Sequence, residues 1–274
     1  MDAKKKDCIP ALNSPRFVQS KTVEWIASSD IVFVLKYKKT NKIYPKKILN
    51  WHEIVNDEID GIPVLISFCP LCGTAIAFER IVNETETRFG VSGKLHNSDL
   101  VMYDKLEGNL WQQLTGEAIV GPAARRNEIL TTFPLITTTW GEWIENNPDS
   151  YVLSLDTGYK RNYDGYPYED YESSKDIYFP VKNLDKSMHP KTPVIGVIYN
   201  GNARAYKVSD LIKTPSITEK VGDIYIKIER APSGEIIVTN QGTLFKINAF
   251  RHFWFAWKAF YPNSTLYELE NEKD

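Results

Sequence analysis

Two stretches of this chain repeat each other without a gap. VFVLKYKKTNKIYPKKIL, Val32 to Leu49, overlays VIGVIYNGNARAYKVSDL, Val194 to Leu211, with Val32 on Val194, Tyr37 on Tyr199, Tyr44 on Tyr206 and Leu49 on Leu211, every pair 162 positions apart. Both then run through a polar connector to a glycine and an apolar strand, DGIPVLISF in the first and VGDIYIKIE in the second. Such a repeat reads as two copies of a hairpin, helix and strand unit, each able to hide an apolar face. The expected fold is therefore α+β, β-rich, with two pseudo-duplicated lobes and a few short helices. Within a single domain, 1–274, the first lobe is expected at about 28–121, a connector at about 122–190 and the second lobe at about 191–270.

Alternating apolar and polar residues place strands at about Ile31–Tyr37, Ile62–Phe68, Thr74–Arg80, Arg88–Ser92, Leu100–Asp104 and Leu110–Leu114. Helices are expected at Lys21–Ala27, at Pro45–Ile54 with proline in its first turn, and at Trp140–Asn146 behind the capping box Thr139-x-x-Glu142. A last helix, Ala249–Phe260, would carry Phe250, Phe253, Trp254, Trp257 and Phe260 or Tyr261 on one core face.

The differences between the copies locate the chemistry. The first copy continues into NWHEIVND and ends its strand in FCPLCGTA, whereas the second continues into IKTPSITE and ends in ERAPSG. A packing need common to both would leave similar residues in both, so Trp51, His52, Glu53, Cys69 and Cys72 point to one lobe that carries chemistry and one that supports it. In Cys-Pro-Leu-Cys-Gly the turn aims two sulfurs at one point, and the glycine lets the backbone close around them, the geometry of a metal knuckle. No second Cys-x-x-Cys follows. His52, near the end of a helix leading into the cysteine strand, is the leading third ligand. His96 comes next, in GKLHNSDLVMYD, where Asp99 and Met102 offer further oxygen and sulfur, although Met102 lies in an alternating strand that suits a core position. His189 and His252 read as surface or structural residues. Two cysteines, one histidine and an open position suit one zinc ion, and a weak methionine added to them suits copper.

A metal-free alternative is a thiol-disulfide module in which Cys69 and Cys72 cycle. The sequel GTAIAFER reads as a strand, so no helix N-terminus lowers the first thiol. A Cys-His nucleophilic pair with His52 is a weaker reading, and a third class is a ligand-binding or structural scaffold with an inert cysteine turn. The Tyr-rich NYDGYPYEDYE, Asn162 to Glu172, reads as a packed connecting loop. Three cysteines are an odd count, which argues against a disulfide framework and leaves Cys8 a bystander.

Composition narrows the partners. A formal net charge of −2 gives no basic field for a phosphate backbone, so nucleic acid is not expected, and an unknown small molecule or redox partner is. No phosphate loop or dinucleotide motif occurs, so no nucleotide cofactor is indicated. No run approaches the ~18 apolar residues of a membrane span, and the sequence as given reads as cytoplasmic, or as extracytoplasmic if a signal or anchor has been removed.

The runs ILNWHEIVND, GIPVLISFCPLCGTAIAF, RFGVSGKLHNSDLVMYDKLEGNLWQQLTGEAIVG and FWFAWKAFYP resemble, in this order, a prokaryotic domain-of-unknown-function family. The likeness covers nearly the whole chain. It implies no reaction, and it puts the shared blocks on Trp51, His52, Glu53, Asn56 and Asp57, on Cys69, Pro70, Cys72, Gly73 and Thr74, on Asn97, Ser98 and Asp99, and on Trp111, Gln112, Thr115, Gly116 and Glu117. Glu53, Trp111 and Gln112 thereby join His96, Asp99 and Met102 as further ligands or site lining. His96 departs from the family pattern. The resemblance, to a family many of whose members look exported or lipid-anchored, also implies the extracytoplasmic alternative, where a Cys69–Cys72 disulfide would form unless a metal protects the thiolates.

Overall fold

The computed structural model describes residues 5–269. The first lobe is built from a hairpin, β1 (Ile31–Tyr37) and β2 (Thr40–Pro45), a helix, α1 (Lys46–His52), and a meander, β3 (Ile54–Ile59), β4 (Ile62–Cys69) and β5 (Thr74–Glu79). Lys38, Asp60 and Gly61 have positive φ, as tight turns between twisted antiparallel strands require. An inserted meander follows: β6 (Phe89–His96), β7 (Asp99–Asp104), β8 (Leu110–Gln112) and β9 (Ala118–Val120). The chain then returns as Thr132–Phe133 beside β5, β10 (Leu135–Thr139) beside β1, α2 (Trp140–Asn146), and β11 (Tyr151–Leu153) beside β2.

The same order and pairing recur in the second lobe. Its hairpin is β12 (Pro193–Tyr199) and β13 (Asn202–Lys207), followed by α3 (Val208–Lys213) and the meander β14 (Ser216–Val221), β15 (Ile224–Arg230) and β16 (Ile236–Asn240). β17 (Ala249–Phe253) pairs with β12, α4 (Trp254–Phe260) follows, and β18 (Thr265–Leu266) lies parallel to β13. The fold is α+β and β-rich, with short helices. Between β16 and Lys246–Ile247 the second lobe has only residues 241–245, where the first lobe carries the inserted sheet. The first-lobe sheets continue past residue 121, since β10 and β11 complete the sheet of β1 and β2.

Each hairpin is buried on both faces. Val32 and Val34 pack with Trp140 and Trp143 of α2, while Phe33 and Leu35 face a core shared with α1 and the β3–β5 sheet. In the second lobe Val194 packs with Trp254 and Trp257 of α4, and Ile195 and Val197 face the β14–β16 sheet. A Trp-x-x-Trp helix therefore covers the outer face in both lobes, one helical turn separating rings that lie on one side.

Two helical expectations are corrected. Lys21–Ala27 is reduced to a 3₁₀ turn at Ser20–Thr22. Ser20 is tied to Ser150 O and Ala27 to Asp30, so too little chain remains between the anchors to repay helix nucleation. Ala249–Phe253 is a strand, and helix begins only at Trp254. Pairing with β12 decides this, and it splits the aromatic stripe: Phe253 enters the core that holds both cysteines, Trp254 and Trp257 the other.

Trp257 needs a glycine opposite it. A Cβ on Gly196 of β12 would lie 2.2 Å from the indole ring. Gly196→Ala is expected to lower unfolding stability by about 1–3 kcal/mol, the usual cost of overpacking, read as a lower urea midpoint at unchanged slope. A wild-type midpoint would show that the ring does not rest on this residue.

Candidate functional site

The site forms where the β4–β5 turn of the first lobe meets the inserted sheet. Cys69 closes β4, and the Cys72 amide donates to the Cys69 carbonyl at 3.2 Å. Gly73 has φ +63, and a Cβ there would come within 2.8 Å of the Phe253 ring, so the turn is pressed against β17. The second lobe holds it: Phe253 N–H donates to the Cys72 carbonyl at 2.8 Å, and the buried His252 Nδ1 lies 2.9 Å from Thr74 Oγ1. Burial pushes the His252 imidazole down to about 3, keeping it neutral.

Asp99 opens β7 after the tight turn Asn97-Ser98, whose residues both have positive φ. Cys69, Cys72 and Asp99 are all buried, and their two sulfurs and a carboxylate oxygen lie within 4.8 Å of one another. This is the group among the described residues with the donors and spacing to hold a metal ion. Asp99 Oδ2 accepts from Gln112 Nε2 and, at 3.1 Å, from Leu114 N–H. Asp99 Oδ1 and the neighbouring Ser98 Oγ are buried without a hydrogen-bond partner of ordinary geometry among the described residues. The Ser98 carbonyl lies 3.3 Å from the Cys72 sulfur and 3.9 Å from that of Cys69.

Burial dominates the electrostatics. It raises both thiols, Cys72 further because it also faces Cys69 and Asp99, and it raises the Asp99 carboxyl to about 7. Without an ion, all three groups are held towards their neutral forms. No lysine, arginine or histidine side chain hydrogen-bonds to any of them among the described residues.

The other sequence candidates occupy different places. His52 is not in the cluster: its Nδ1 lies 2.8 Å from the Pro10 carbonyl and its Nε2 2.7 Å from the Tyr163 hydroxyl, so both ring nitrogens are used to bind α1 to the N-terminal segment and the connector. Its lowered pKa, caused chiefly by burial, suits a neutral structural ring. His96 is exposed and stands one residue behind the cluster, with Nδ1 2.8 Å from Gln112 Oε1. Gln112 thus links His96 to Asp99. Met102 is buried in the apolar cluster that includes both cysteines. Trp111 donates from Nε1 to Asp104 Oδ2 at 2.8 Å, fixing the β7–β8 turn. Glu53, at φ 57 beyond the last turn of α1, accepts from Tyr168 at 3.0 Å and adds a negative charge that raises Cys69.

The Tyr-rich connector lies across this region. Tyr171 donates to the Leu71 carbonyl at 3.2 Å, inside the cysteine turn, and Trp51 Nε1 donates to Gly165 O at 3.2 Å. Asn56 docks the inserted sheet: its amide donates to Phe89 O at 2.8 Å and accepts from Phe89 N at 2.7 Å, replacing a strand neighbour. The roles of His252, Thr74 and Tyr171 escaped sequence reasoning. Only their place in tertiary pairing marks them, although the signal for Asp99 was present as an acid at the start of an otherwise apolar strand.

These features define a two-lobed, β-rich protein with a buried Cys-Cys-Asp cluster on one lobe. The chain belongs to a family described as a protein of unknown function, DUF3179, whose model matches residues 6–244. No curated protein and no solved structure matches it. No helix among the described residues is long and apolar enough to cross a membrane.

The Asp99 carboxyl gives the metal-free protein a pH signature. Its folded pKa of about 7 exceeds the unfolded value of 3.8, so between these values the folded state holds a proton that the unfolded state releases. Stability from this group is full below pH ~4 and falls as pH rises towards 7. In chelator-treated protein, Asp99→Asn should therefore gain stability relative to wild type across that interval, as followed by urea unfolding at graded pH. A constant difference would show that Asp99 is ionised throughout.

Proposed function

We propose that this is a zinc-binding protein in which Cys69, Cys72 and Asp99 hold one ion in the first lobe. The observation that carries the reading is the burial together of three acidic groups, one carboxylate oxygen of which lacks a hydrogen bond of ordinary geometry, with no protein cation hydrogen-bonded to them among the described residues. A divalent cation supplies the missing charge and satisfies the oxygen. Zinc fits two thiolates and a carboxylate, whereas copper(I) prefers an all-sulfur set and a blue-copper site needs two histidines, neither of which this cluster contains. Three protein ligands leave a fourth position for water or substrate, the pattern of catalytic rather than closed structural zinc. The thiol-disulfide reading is the weaker one, because burial raises both thiols and a strand follows the second, so nothing favours the attacking thiolate.

Protein purified without chelator should carry about one equivalent of zinc by inductively coupled plasma mass spectrometry. Cys72→Ser and Asp99→Asn should each lower zinc retention against a competing chelator by tenfold or more, in line with the loss of a ligand or its support. His52→Ala should retain the ion as wild type does. Retention should weaken in acid, since protons compete for the sulfurs. Copper in place of zinc, or no metal together with a Cys69–Cys72 disulfide, would overturn the reading.

A further inference from the structure

A cleft of about 790 Å³ borders the cysteine turn, within the ~300–1,000 Å³ usual for small-molecule sites. Three segments wall it: the N-terminal stretch, the inserted β6–β7 hairpin and the connector. The second lobe lacks the insertion and so has no counterpart of the hairpin wall. Ile9, Leu71, Val91, Leu100 and Phe179 make the cleft mainly apolar.

Its polar groups are sorted by depth. Ser98 contributes to the wall and carries a buried hydroxyl, 1% exposed as a residue, without a hydrogen-bond partner among the described residues. Glu53, also buried and bonded to Tyr168, lines the same cleft, so its buried lining is already acidic. Lys5 and Lys94 contribute at the exposed edge, and neither side-chain ammonium group has a hydrogen-bond or ion-pair partner among the described residues. A buried hydroxyl left unpaired is costly, and two unpaired ammonium groups beside an apolar surface attract an anion.

We propose that this cleft binds an elongated, mainly apolar monoanion, its carboxylate at Lys5 and Lys94 and an uncharged hydroxyl or carbonyl at its far end reaching Ser98. The acidic inner end repels a second anionic group there, and the apolar walls take the chain between. The proposal goes beyond the zinc reading and does not rest on it, because no zinc ligand is needed for the contacts.

The test is isothermal titration calorimetry with ω-hydroxydecanoate, decanoate and decyltrimethylammonium on the full chain, zinc-loaded and chelator-treated. ω-Hydroxydecanoate is expected to bind saturably in both preparations, and decyltrimethylammonium at least tenfold more weakly than decanoate. Lys94→Glu, an exposed change, should weaken both carboxylates by about tenfold, equivalent to ~1.4 kcal/mol. Ser98→Gly, which suits the positive φ and keeps the backbone carbonyl, should abolish the preference for the hydroxylated chain. Absence of saturable binding, equal affinity for the cationic chain, or an unchanged affinity in Lys94→Glu would each overturn the proposal. Binding that survives in metal-free protein separates this cleft from the fate of the zinc reading.

Discussion

Cys69, Cys72 and Asp99 share one buried volume, with no protein cation hydrogen-bonded to them among the described residues. Ionised together in an apolar core, such groups would cost several kcal/mol each, so they must stay protonated or share a cation. The surroundings favour both states only because other groups fix the three side chains in place. Gln112 and the Leu114 amide hold one carboxylate oxygen, and the Phe253 amide and the Thr74–His252 contact hold the turn from the second lobe. The uncharged His252 matters here, because it braces the turn without neutralising it.

The two lobes repeat more than their strand order. Tyr44 is buried with its hydroxyl 2.7 Å from Asp57, which Lys42 reaches at 3.0 Å. Each of these residues, moved 162 positions along, has a counterpart: Tyr206, Glu219 and Arg204, joined in the same way. A tyrosine that must hide its ring in the hairpin core needs a partner for its hydroxyl, and a carboxylate on the next sheet balanced by a cation at the edge provides it. The lobes diverge where the first accepts the inserted sheet. Asp99, Gln112 and Ser98 all come from that insertion, so the chemistry arises at a junction between a repeated frame and an added sheet.

The connector contributes in a different way. Tyr163, Tyr168 and Tyr171 each hang a ring from irregular backbone and spend the hydroxyl on the first lobe, at His52, Glu53 and Leu71. These contacts order a stretch with little regular secondary structure. They also close one side of the cleft beside the cysteines. Glu53 sits in a left-handed conformation at this crossing, a strained placement for a side chain that must turn from the end of α1 towards the connector.

The repeat from Val32 to Leu49 and Val194 to Leu211 was legible because packing both faces of a hairpin imposes the same apolar spacing twice, and β1 and α2 stand where periodicity and capping put them. The cysteine turn was legible because two sulfurs, a proline and a glycine have few other reasons to stand in that order. The third member of the cluster was not, since on a linear chain His52 reads as the leading ligand and Asp99 only as one of several further donors. His52 lies on the helix before the cysteine strand, yet its ring nitrogens are taken by Pro10 and Tyr163, the second of these 111 residues away. Phe253 reads as part of a helix until β12 captures it as a strand, because ladder hydrogen bonds with a distant partner outweigh a local aromatic spacing. Sequence alone determined the repeated frame and the turn that carries the sulfurs. Only the tertiary structure decided which acid meets them, because that depends on how the inserted sheet docks through Asn56 and on which side chains its burial leaves without a partner.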